Sequence, residues 1–93
     1  MFISLKKIIG LAVFTQSGNR LGKVSVVNLD TNSHTVQEYL VRASIFNSRV
    51  FLIKPVQIVE ITDKKMVVED SVLKELLNSQ YAPSLNYDKA INS

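Results

Sequence analysis

The amino-acid sequence predicts an all-β fold, a small antiparallel barrel of short strands followed by a short C-terminal helix. Short runs of Val, Ile, Leu and Phe recur between clusters of Gly, Asn, Asp and Ser, the pattern of repeated short strands joined by tight turns. The period changes only at DSVLKELLNS, where apolar residues fall on one helical stripe. The chain has 93 residues, 46% hydrophobic and 20% charged, which suits a single small core. The expected organisation is a barrel over residues 1–70, a helix over 71–80 and a flexible tail over 81–93.

The first strand is expected at Leu11 to Thr15 and the second at Leu21 to Leu29, joined by QSGN. Gly18 and Asn19 tolerate positive φ, so this segment reverses the chain. Gly22 marks a bulge or a close approach, and the Val26-Val27 pair breaks strict alternation as a bulged strand does. DTNSH, Asp30 to His34, is the next turn, since short polar side chains bond to nearby backbone. A third strand runs over Thr35 to Ala43. After a bend at Asn47 to Arg49, the unbroken apolar VFLI, Val50 to Ile53, reads as a strand buried on both sides. Pro55 ends it. QIVEI is a strand through Ile61, TDKK a turn, and Met66 to Glu69 the last strand. In the helix, Asp70 or Ser71 is the candidate N-cap.

Composition removes several classes of function. There is no cysteine, hence no disulfide, thiol nucleophile or thiolate metal site. The apolar start is interrupted by Lys6 and Lys7 and by Gly10, too short for a membrane helix and without a signal-peptide pattern. A cytoplasmic protein without membrane association is expected. The net charge of +3 is uneven: residues 1–59 hold seven basic against two acidic residues, and residues 60–93 four against six. Lys6, Lys7, Arg20, Lys23, Arg42, Arg49 and Lys54 form a candidate basic surface, with Arg20, Lys23, Arg42, Arg49 and Lys54 as its principal members.

No catalytic or cofactor constellation emerges. GNRLGK matches neither the phosphate-loop nor the dinucleotide fingerprint, so the stretch is read as a bend. His34 is the single histidine, and with Ser33, Thr35 and Asp30 it lacks the spacing a triad needs. Asp63, Glu69 and Asp70 are read as a solvated hairpin and a helix start, where acids are favoured. No catalytic residue, cofactor or metal is expected.

SLKKIIGLAVFTQSGNRLGKVSVVNLD and, later, VFLIKPVQIVEITDKKMVVED resemble the PRC-barrel family, which includes the cytoplasmic domain of the photosynthetic reaction-centre H subunit and the C-terminal domain of a ribosome-maturation protein. The resemblance covers about residues 4 to 70. It rests on a glycine-bearing first strand, a glycine turn, a Leu-Gly-x-Val strand and a Leu-Ile-Pro-like segment in which Lys54 separates Ile53 from Pro55. It implies an SH3-like barrel that works as a stand-alone adaptor rather than a catalyst.

The expected function is therefore non-catalytic: a protein-interaction or assembly adaptor, homodimeric, bound to a protein partner the sequence does not name. Val72, Leu73, Leu76 and Leu77 are its candidate interface, and the alternative for the same stripe is to cap the chain's own barrel. The second reading is an RNA-associated or ribosome-assembly adaptor that uses the basic surface.

Overall fold

The computed structural model describes residues 1–43 and 49–73. A single helical turn, α1 (Leu5–Ile8), precedes the sheet. The Ser4 side chain caps it by accepting from the Lys7 amide at 3.3 Å, and Ile8 anchors it in the core. Gly10, at φ 91°, then turns the chain so that its N–H donates to the Val24 carbonyl at 2.8 Å. This turn was not anticipated, because four residues carry too little periodicity to stand out.

Six strands follow: β1 (Ala12–Thr15), β2 (Arg20–Asp30), β3 (Thr35–Arg42), β4 (Val50–Ile53), β5 (Ile58–Ile61) and β6 (Lys65–Val68). All lie within a residue or two of the expected segments. The β1–β2 bend closes as QSGN predicts, with Gly18 at φ 94° and the Asn19 amide bound to Thr15 Oγ1 at 3.1 Å. In the β2–β3 turn, Asp30 Oδ1 accepts from the Asn32 and Ser33 amides, and His34 takes a left-handed φ of 61°.

The strands form one sheet in the order β4-β3-β2-β1-β6-β5. The expected antiparallel barrel is met in part: the sheet is not closed, and it is only mostly antiparallel. The outermost strands β4 and β5 are not paired with each other, and β1 pairs with β6 in parallel, Ala12 opposite Lys65 through Thr15 opposite Val68. The cause of the second lies between β4 and β5. Pro55–Gln57 forms a short 3-10 turn where a hairpin would reverse the chain. The chain therefore crosses to the far edge in the direction it already had, and the β5–β6 hairpin returns its second strand alongside β1.

The core gathers on one face, with Val13, Val41, Ile53, Met66 and Val68 fully excluded from solvent and Ile8, Leu11, Leu21 and Phe51 around them. Two buried polar side chains are bonded: Thr15 as above, and Gln57, whose Oε1 accepts from the Lys54 amide at 2.8 Å. VFLI is not buried on both sides. Phe51 and Ile53 face inward, but Leu52 is 46% exposed, because an outer strand of a one-layered sheet alternates whatever its composition. Ser71–Leu73 begin the expected helix; its remainder and the expected tail lie outside the described residues.

Candidate interaction surface

The outer face of the sheet is set by register. Val13, Val24, Val41 and Met66 point inward, so their neighbours Ala12, Lys23, Arg42 and Lys65 point outward. Pairing aligns these four: Lys65 on β6 opposite Ala12 on β1, Ala12 opposite Lys23 on β2, and Lys23 opposite Arg42 on β3, with Val50 beyond on β4. Three cations thus share one row. Lys23 and Arg42 are directly opposed like charges, an arrangement that costs stability. None of the three cationic side chains joins a hydrogen bond or ion pair among the described residues.

The next outward row is aliphatic. A bulge shifts the β2 register between Val24 and Val26, so Val24 faces the core and Val26 faces out. The extra residue, Ser25, ties its hydroxyl to the Leu40 carbonyl at 3.2 Å. Val26 lies opposite Leu40 and Leu40 opposite Leu52, giving an unbroken apolar line across three strands, with Val26 40% exposed.

The third row is neutralised. Asn28 Nδ2 donates to Glu38 Oε2 at 2.9 Å, and Lys54 Nζ pairs with Glu38 Oε1 at 3.2 Å. The face thus grades from unpaired cations through bare aliphatics to a satisfied polar network.

The predicted basic residues take different partners. Lys23 and Arg42 stand together, and Lys54 is engaged with Glu38. Arg20 lies over the Phe14 ring, 5.9 Å from its centre, and shares with Arg49 a shallow cleft of about 320 Å³ lined also by Gly22, Phe51 and Leu73. Of the expected helical interface, Val72 is 3% exposed within the chain's own core, and Leu73 is half-buried and packs against that core. Leu76 and Leu77 lie outside the described residues.

Four contributors were missed by sequence reasoning. Lys65 was placed in a turn, while Val26, Leu40 and Leu52 sit in strands whose outward direction depends on a bulge, on register and on strand position. The Val26-Val27 doublet carried the only sequence trace, since it marked broken alternation.

Two further titratable groups serve structure. The Ser17 hydroxyl donates to Asp70 Oδ2 at 2.6 Å and the Ser17 amide to Oδ1 at 3.0 Å, and these bonds hold the Asp70 carboxyl below its ordinary value. Asp70 is thus a clasp between the β1–β2 turn and the chain after β6. Burial raises the inward-facing Tyr39 phenol, keeping it neutral. Among the described residues no group of three or more His, Asp or Glu is arranged for a metal, and no helix is long and apolar enough to cross a membrane.

The fold is that of a small β domain built on one six-stranded, mostly antiparallel sheet. The family model for the PRC-barrel domain matches residues 1–73, and the chain belongs to that family. No curated protein is a significant match. Among solved structures, the chain is similar to the 16S ribosomal RNA processing protein RimM of Pseudomonas aeruginosa, with a TM-score of 0.57 and 16% identity over 72% of this chain. That alignment spans 43% of the Pseudomonas protein, so the chain corresponds to less than half of it.

Proposed function

We propose that this chain is a non-catalytic protein-interaction module, an adaptor acting in the cytoplasm as a homodimer, and that it engages its partner through the outer face of β2, β3 and β4. The observation that carries this reading is the aliphatic row Val26–Leu40–Leu52, with Val26 and Leu52 exposed and Leu40 half-buried between them, beside a polar rim. An apolar centre with polar borders is the anatomy of a protein interface. The barrel expected from the sequence belongs to this proposal too.

The test is affinity capture from native cell extract with the wild-type chain and with Leu52→Glu, each with and without nuclease. A protein held by the wild type in the presence of nuclease and lost with Leu52→Glu supports the reading. Equal capture by both overturns it.

A second reading, RNA-associated or ribosome-assembly adaptor, is favoured by the Lys65–Lys23–Arg42 row and by the name of the Pseudomonas neighbour. It predicts partners that vanish with nuclease and an affinity that falls steeply with salt.

A further inference from the structure

We infer that the partner element of this face is an acidic amphipathic helix laid across the strands, its apolar stripe on Val26, Leu40 and Leu52 and its carboxylates over Lys23 and Arg42. This rests on the protein-interaction reading above and names the chemistry of the partner.

Three features of the face select that occupant. The first is length. Neighbouring strands lie about 4.8 Å apart, so the three-strand aliphatic row spans about 10 Å. Apolar side chains at i, i+4 and i+7 of an α-helix span about 10.5 Å, so a helix running perpendicular to the strands sets one anchor on each. The cationic row, from Lys65 on β6 to Arg42 on β3, covers about 15 Å, or ten residues of the same helix.

The second is charge. Along β3 the cationic and aliphatic rows are two residues apart, about 7 Å, which is the offset from the contact stripe of a helix to its flank. Carboxylates on that flank meet two opposed cations that no described acidic side chain neutralises. The other flank lies over Asn28, Glu38 and Lys54, which already satisfy one another and so ask only for neutral or polar residues. The asymmetry fixes the direction in which the acidic edge faces.

The third is what the face lacks. Aliphatic side chains offer no ring on which a nucleic-acid base could stack, and Phe14, the aromatic next to the cationic row, is overlain by Arg20. A second copy of this chain would bring the same cations, with Glu38 already committed to Lys54 and Asn28.

The test is a selection from a displayed library of random peptides of about 16 residues on the full-length chain, with enriched peptides then measured by fluorescence anisotropy. The expected result is enrichment of sequences with an i, i+4, i+7 apolar stripe and Asp or Glu on one flank. Their affinity falls about tenfold or more with Leu52→Glu, and the double variant Lys23→Glu/Arg42→Glu moves the preference to Lys- or Arg-flanked peptides. That exchange of preference cannot come from unfolding. Enrichment without acidic residues, no enrichment, or affinities unmoved by Lys23→Glu/Arg42→Glu overturns the acidic-helix assignment. A mixed-sequence oligoribonucleotide that binds more tightly and competes with the peptides, or sedimentation showing self-association lost with Leu52→Glu, overturns it as well. Apolar peptides bound in a Leu52-dependent but charge-independent way would leave the protein-interaction reading standing while removing this one.

Discussion

Gly22 shows how a single residue is fixed by a neighbour distant in sequence. Its φ is 146°, and a Cβ there would drive into the Arg42 carbonyl group and approach the Ala43 Cα to 2.8 Å. Both the conformation and the lack of space forbid a side chain, so Gly22→Ala is expected to cost about 2–4 kcal/mol, measured as a lower midpoint in denaturant unfolding. The sequence marked Gly22 as a bulge or close approach, but not that Arg42 supplies the obstacle. Asp70 was likewise legible only as an acid near a helix start; its bond to Ser17, 53 positions away, comes from the β1–β6 pairing that brings those segments together. Because the folded carboxyl sits below its ordinary 3.8, its contribution is fully present above the unfolded pKa and is lost as pH falls through the lower folded value. Asp70→Asn should therefore flatten the decline of stability below about pH 4 relative to wild type. Acid titrations of the two proteins with parallel slopes would contradict it.

Among elements, strands were easier to place than to pair. Turn chemistry at QSGN and DTNSH set the β1–β2 and β2–β3 hairpins from local residues alone. The parallel β1–β6 pair was not legible, since it depends on Pro55–Gln57 carrying the chain onward without reversal. The outward row was hidden for a similar reason: a bulge at Ser25 inverts the faces of Val24 and Val26, and only the register shows where such a bulge falls. At the C-terminal end, the apolar stripe was visible but its destination was not. With Val72 buried, Val72→Asp should destabilise the domain by about 3 kcal/mol or more, through an unpaired charge in the core, seen as a large drop in thermal midpoint. Substituting Leu76 and Leu77 by acids is expected to weaken self-association and leave the thermal midpoint of a dilute sample nearly unchanged.

For the whole molecule, the proposed homodimer makes stability depend on concentration, since association that requires the folded chain stabilises it by mass action. The melting midpoint should rise by several degrees across a hundredfold range of protein concentration; a constant midpoint across that range would exclude a dimer. By itself the sequence determined an all-β class, the positions of the strands, the bends between them and the membership of a family, because these follow from local periodicity, turn residues and the order of short motifs. Only the tertiary structure decided that the sheet is open and partly parallel, that Val72 belongs to the core, and that Lys65, Lys23 and Arg42 stand beside Val26, Leu40 and Leu52. Those arrangements arise from register between distant strands, where one bulge or one unreversed connection redirects every side chain that follows it.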